Sequence, residues 1–158
     1  SETNWRMDPN ISGGGLFHDL APHQIDLMLY YFGKIKEAKG FSVRQQENTR
    51  VDDLVTGQLL FEDDIVFNGS WCFSVSAQDE KDYCDVYGSK GKLSFPMFGQ
   101  NIKLKLNGTT DTFSLEPSTH VQHPIIAKVV YYFLGTGPNA CSGQKSLQPM
   151  KIIDRVAD

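Results

Sequence analysis

Residues 19–32, DLAPHQIDLMLYYF, carry apolar side chains at helical spacing. At about 100° per residue, Leu20, Leu27, Met28 and Tyr31 form one arc with Phe17 at its base. Asp19, His23 and Asp26 fall together on the opposite side. Asp19 suits an N-cap, Pro22 then falls in the first turn, and Gly33 stops the helix. Residues 1–15 read as an extended entry, broken by Pro9 and by three consecutive glycines. After Gly33 the period changes. Segments 35–46, 53–63 and 65–77 are rich in β-branched and aromatic residues and partly alternate. Residues 63–65 read as a tight hairpin turn, 81–95 as strand, glycine-bounded turn and strand, and 101–108 as an alternating strand that turns at Asn107-Gly108. Helical spacing returns over 123–135 and 144–157, with Ser142 a cap for the last helix. Helix, antiparallel strands, then helices predicts an α+β domain: an open, largely antiparallel β-sheet with helices packed on one face. No repeat and no domain boundary is visible, so residues 1–158 read as a single domain.

Composition narrows the classes. A hydrophobic content of 40% and a charged content of 22% are those of a globular chain. The net charge of −4 and the scattered lysines and arginines leave no nucleic-acid footprint. No apolar run is long enough to span a bilayer and no signal peptide is visible, so no membrane partner is expected. Cys72, Cys84 and Cys141 lie far apart without metal-ligand or disulfide spacing, which reads as free thiols in a cytoplasmic protein. The chain opens at Ser1 without an initiator Met, which reads as a fragment of a longer protein.

The chemistry concentrates near the start. Asp19 and His23 are four apart, hence one turn apart on one face. A carboxylate beside an imidazole fixes its tautomer and raises its basicity, as a general base needs. Asp26 extends that face. Gly13, Gly14 and Gly15 let backbone and ligand approach closely at a helix entry that offers N–H groups. Arg6 is placed to meet a substrate hydroxyl or a phosphate. The residues alone leave a plainer reading open: Asp19 as a cap, His23 as a solvated residue, the glycines as a turn, and Arg6 as a surface ion pair. His18, Asp19, His23 and Asp26 are all metal-ligand types, but His18 points away from His23 and the spacing is not H-E-x-x-H, so no metal is assigned. YGSKGKLSF (87–95) lies between strands and reads as a hairpin turn, not a phosphate loop. His120 and His123 read as cap or surface residues.

NWRMDPNISGGGLFHDLAPHQIDLMLYYFG resembles the start of the C-terminal domain of the glucose–fructose oxidoreductase / inositol dehydrogenase (Gfo/Idh/MocA) family. The matching positions are Ser12 to Gly15, Asp19, His23, and Ile25 to Leu27. FEDDIVFNGSWCFS, DVYGSKGKLSF and GTGPNACSGQKSLQPMKIIDRV resemble further pieces in order, so the likeness spans nearly the whole chain.

The resemblance implies a dihydrodipicolinate-reductase-like C-terminal domain whose uncovered sheet face makes a homo-oligomer interface. It implies a parent enzyme that passes hydride between NAD or NADP and a sugar, polyol or related hydroxy compound. His23 would be its acid/base and Asp19 the partner of that histidine, with Arg6, Gly13, Gly14, Gly15 and Asp26 at the substrate. No G-x-G-x-x-G follows a strand here, so the N-terminal Rossmann domain is absent from this chain, as is the lysine of its Glu-Lys-Pro motif. A strand usual before the Trp-Arg segment is missing too, which would leave a sheet edge open. The fragment is therefore expected to bind no cofactor tightly and to be inactive alone. Two other classes stand beside this one: a non-catalytic binding or assembly module of the same fold, and a metal-dependent hydrolase using His18, Asp19 and His23.

Overall fold

A computed structural model describes residues 4–157. The α+β class is as the sequence predicts. The chain divides into two compact units, Ser1–Ala77 with Cys141–Asp158, and Gln78–Ala140.

The first unit begins with local helical structure where an extended entry was expected. Asn4 Oδ1 accepts from Arg6 N at 3.2 Å and starts a 3-10 turn over Trp5–Met7. Asp8 then caps a short helix α1 (Pro9–Ser12), its Oδ1 accepting from Asn10 N at 3.0 Å, with proline at the first helical position. Gly13, at φ +78°, ends α1 in the left-handed region. Helix α2 (Gly15–Phe32) starts four residues before the expected Asp19 and closes at Gly33. Its entry is held by Ser12, whose Oγ accepts from Gly15 N at 3.0 Å and Gly14 N at 3.4 Å while donating to Asp8 O at 2.9 Å. Pro22 consequently lies inside the helix, where it withholds an N–H from the ladder.

The buried arc of α2 is also rotated from the expected one. Phe17, Ala21, Ile25 and Met28 are buried, whereas Leu20 and Leu27 are half-buried and Tyr31 is exposed. The helix is apolar on more than one side, so its pattern allowed two arcs, and packing against the sheet selected the one containing the small Ala21.

Strands β1 (Ile35–Val43), β2 (Leu54–Phe61) and β3 (Val66–Cys72) form an antiparallel sheet in that order. The β2–β3 turn falls where predicted, with Asp64 at φ +60°. Gly40, Gly57 and Gly69 stand directly opposite one another across the three strands. A Cβ on Gly40 would meet the Val156 carbonyl oxygen at 2.3 Å, and one on Gly57 would meet Val156 Cγ1 at 2.7 Å. The row lets helix α4 (Gly143–Ala157) lie against bare backbone. Ser142 caps α4 as expected, its Oγ accepting from Lys145 N at 3.3 Å. Val55, Leu59, Phe61 and Trp71 meet the buried faces of α2 and of α4 (Ile152, Ile153, Val156) to make the core. The Phe17 and Trp71 rings cross edge-on with centroids 5.0 Å apart, and Trp71 Nε1 donates to Gln24 Oε1.

The second unit contains strands β4 (Cys84–Gly88), β5 (Gly91–Phe95), β6 (Asn101–Leu106) and β7 (Thr109–Ser114), antiparallel in sequence order, and helix α3 (His123–Phe133). Asn107 and Gly108, both at positive φ, make the predicted β6–β7 turn. The seven strands thus pair antiparallel, as the sequence predicts, but in two ladders rather than in a single sheet. Residues 73–83, SVSAQDEKDY after Phe73, supply the reason: they are polar, carry a 3-10 turn at Ala77–Asp79, and add no strand between β3 and β4. Within 78–140 no residue is fully buried.

Candidate functional site

The site expected from the sequence lies on α2 and its entry. Asp19, His23 and Asp26 all project from the exposed side of the helix, opposite Phe17, Ala21, Ile25 and Met28. Burial of the second set fixes the orientation of the first. The early helix start places the three polar residues well inside α2, so Asp19 is not the cap and its carboxylate is free to pair elsewhere.

That pairing is with Arg6. Arg6 Nε stands 2.6 Å from Asp19 Oδ2, with both side chains partly exposed. The Arg6 guanidinium also lies 4.5 Å from the centroid of the Trp5 ring. The 3-10 turn at Trp5–Met7 is what turns Arg6 back onto α2. The structure therefore joins Arg6 to Asp19, and among the described residues it gives His23 no hydrogen bond or ion pair. His23 and Asp26 present an imidazole and a carboxylate to solvent along the same helix side.

The glycines serve the helix entry directly. Gly13 N donates to Pro9 O at 3.0 Å, and the N–H groups of Gly14 and Gly15 point to Ser12 Oγ. These N–H groups are engaged within the chain rather than open to a ligand. Gly15, at φ +77°, is buried, and a Cβ there would lie 2.8 Å from Val51 Cβ. Gly13 is exposed, and a Cβ there would meet nothing within 4 Å. His18 bonds locally, its Nδ1 3.0 Å from Gly14 O, away from the His23 side. Among the described residues no group of three or more His, Cys, Asp or Glu is arranged to hold a metal ion.

Two residues without an individual role in the sequence reading shape the unit. Asp53 is buried, and its two carboxylate oxygens accept from Gln45 N at 2.8 Å and Gln46 N at 3.0 Å. This folds the β1–β2 connection back on itself. The adjacent acids Asp52 and Asp53 look alike in sequence, and only the alternation of the strand they enter distinguishes the inward one. Ser12 stands in the glycine motif, but its capping role follows from a helix start at Gly15, not at Asp19.

As a set, a solvent-facing imidazole, two carboxylates and a guanidinium suit a ligand with several hydroxyls. Carboxylates accept from hydroxyl groups, the guanidinium donates to their oxygens, and the imidazole exchanges a proton.

Comparison with known proteins gives the arrangement a context. Residues 1–94 match the model of the GFO/IDH/MocA C-terminal domain. The chain is 40% identical over 154 residues to Oxidoreductase P35 of Formosa agariphila, covering 98% of this chain and 47% of that protein. Its fold is similar to aldose-aldose oxidoreductase from Caulobacter crescentus, solved with glycerol, at a TM-score of 0.81 and 19% identity over 99% of this chain and 48% of that one. It is similar as well to levoglucosan dehydrogenase in complex with NADH and levoglucosan, at a TM-score of 0.80 and 17% identity over 99% of this chain and 50% of that one. The chain spans about half the length of each of these proteins.

Proposed function

Since the chain belongs to the Gfo/Idh/MocA family as a C-terminal domain, we propose that it is the substrate-binding half of an NAD(P)-dependent oxidoreductase acting on a sugar, polyol or related hydroxy compound. The observation that carries this reading is the alignment of Asp19, His23 and Asp26 on the exposed side of α2, with Arg6 tied to Asp19. The glycerol and levoglucosan in the similar structures support a polyhydroxy ligand.

In this reading His23 takes the hydroxyl proton as the substrate carbon is oxidised, and returns it in the reverse direction. Asp19 either orients His23 once substrate displaces its link to Arg6, or receives a substrate hydroxyl directly. Arg6 and Asp26 hold neighbouring oxygens, and the exposed Gly13, with nothing within 4 Å of where a Cβ would stand, keeps the chain thin where the ligand passes. The glycine turn does not fit the pyrophosphate of a nicotinamide cofactor. The glycine turn follows a short helix instead of a strand, and its N–H groups are already bonded, so it is no pyrophosphate cradle. Cofactor binding is accordingly assigned to a Rossmann half of the parent, and self-association to an uncovered sheet face. Cys72, Cys84 and Cys141, far apart in the sequence and without metal-ligand spacing, fit a reducing compartment such as the cytoplasm.

The test is His23→Asn in the full-length parent, assayed for NAD(P) reduction across aldoses and polyols. The expected result is a fall in kcat of about 10²–10⁴-fold with the pH profile flattened on its acid side. Unchanged kcat and profile would sink the reading. A binding or assembly module of the same fold draws on the one fact that Asp19 is engaged by Arg6, not His23. It would leave every such variant without a kinetic effect.

A further inference from the structure

The hydrogen bond from Trp71 Nε1 to Gln24 Oε1 joins β3 to α2. The indole that makes it is closely walled. Trp71 is buried, Phe17 meets it edge-on, and the Phe67 ring centroid lies 6.3 Å away. A Cβ on Gly69 would stand 2.7 Å from Trp71 Cζ3, so glycine leaves the space that the ring fills. The direction of the indole N–H is thereby set. An indole nitrogen can only donate, so the oxygen of the Gln24 amide must face it and the NH₂ must point away. Among the described residues no hydrogen bond reaches Gln24 Nε2, and no buried side-chain nitrogen or oxygen is left without a partner. The NH₂ of this half-buried residue therefore opens to solvent. It does so at the border of the proposed site. Gln24 directly follows the exposed His23, about 100° round α2 and toward its buried arc.

We infer that Gln24 is a further substrate-binding residue, whose NH₂ donates to one hydroxyl oxygen of the substrate, and that Trp71 is the positioning residue that holds the amide with its hydrogens outward. The inference rests on the polyhydroxy-substrate reading above and adds the donor that reading lacks. A sugar hydroxyl offers one hydrogen and accepts through its oxygen. Asp19 and Asp26 take hydrogens and give none, His23 takes a proton as the base, and Arg6 Nε is engaged by Asp19. The site is thus rich in acceptors, and a neutral donor held from behind supplies the hydroxyl oxygen with its partner. An amide already fixed by the indole loses little freedom when a ligand arrives. A neutral donor also separates a hydroxyl from a deoxy carbon, where the NH₂ would meet only C–H groups. Standing a quarter turn from His23, Gln24 therefore recognises one defined carbon of the substrate other than the one oxidised.

The experiment is a deoxy scan in the full-length parent, with the best aldose or polyol of the panel used for His23→Asn and each of its monodeoxy analogues. In the unaltered enzyme one analogue is expected to show a KM at least about tenfold above that of the complete substrate. Gln24→Glu keeps an oxygen for Trp71 Nε1 and loses only the outward hydrogens. It is expected to bring that one ratio to within about twofold of unity and to leave the ratios of the other analogues in place. Its added charge acts on every analogue alike and cancels in the ratios. Trp71→Phe frees the amide and is expected to lower the same ratio and no other, through KM rather than kcat. Far-UV circular dichroism checks folding. Should Trp71→Phe not fold, hydrogen exchange at the Trp71 indole N–H decides its part: protected in the unaltered protein and in Gln24→Glu, and fast in Gln24→Met. Absence of any such deoxy effect, a ratio that Gln24→Glu retains, a loss of all ratios together, or an unprotected indole would each overturn the inference. His23→Asn is expected to lower kcat and keep the ratio, so failure of the acid/base role and failure of Gln24 are separate results. A parent that oxidises no aldose or polyol removes both.

Discussion

The two units use the same ingredients to different ends. Both pair an antiparallel sheet with apolar helices. In the first, α2 and α4 lie on one sheet face, and all the buried apolar side chains among the described residues belong to it. In the second, strands alternate more cleanly and α3 is as apolar as any helix of the chain, yet nothing there is buried. Secondary structure and amphipathic pattern therefore do not make a core. What differs is the close approach: the first unit has glycines where a helix must touch backbone, and side chains from three separate segments that converge on Trp71 and Phe61. The first unit holds itself together, and the second presents a surface.

The largest test of that difference is a matched pair. Phe17→Ala removes a fully buried ring and should cost about 3–5 kcal/mol, while Phe113→Ala in the second unit should cost under about 1 kcal/mol in a monomer. Urea unfolding followed by Trp fluorescence reads the first, and amide exchange across β6–β7 reads the second. Equal costs would erase the contrast. Gly40→Val comes next. Its side chain would be driven against the Val156 and Thr56 carbonyls, at an expected cost of about 3 kcal/mol with α4 released first. Retained protection of the α4 amides would refute this. Asp53→Asn should follow at about 1–3 kcal/mol, since one of the two accepting oxygens becomes an NH₂ that faces a backbone donor. A melting curve settles it, and an unchanged midpoint would deny Asp53 its part in the β1–β2 connection.

The smallest effect is electrostatic and belongs to the second unit. Lys92, whose ammonium lies 2.8 Å from Asp85 Oδ2, holds that carboxyl below its usual range, with Ser94 adding a hydrogen bond. A carboxyl depressed in the folded state stabilises above its unfolded pKa and loses that contribution as pH falls through the lower folded value. The β4–β5 amides should therefore lose protection, measured against the intrinsic exchange rate at each pH, on acidification below about pH 4, and Asp85→Asn should remove this dependence. The pair is at the surface, so added salt should mute it. A pH response that Asp85→Asn leaves intact would assign it to another group.

Where sequence and structure agree, the signal is local. The turns at Asp64 and Asn107-Gly108 follow from residues that tolerate positive φ, and the polar side of α2 follows from the spacing of Asp19, His23 and Asp26. The family motif adds what spacing cannot, a reason to look at His23. What escapes is decided at a distance. The start of α2 depends on Ser12 reaching Gly15, a bond that a cap at Asp19 obscures. The buried arc depends on which side meets the sheet, and α2 has apolar residues on both. The division into two ladders depends on a polar connection over 73–83 that looks like any other turn region. Arg6 is legible only as a nearby cation, because its partner is chosen by the 3-10 turn that aims it.

The glycine row under α4 has a consequence for how the chain is made. Gly40 and Gly57 leave the ribosome before the second unit, whereas Val156, which covers them, comes after it. Domains fold as units once their residues are available. A ribosome-bound chain that has reached Ala140 thus carries α2 and β1–β3 with their shared face still wet. Release of Cys141–Asp158 is the event that closes the first unit, and until then a chaperone has an apolar sheet face to hold.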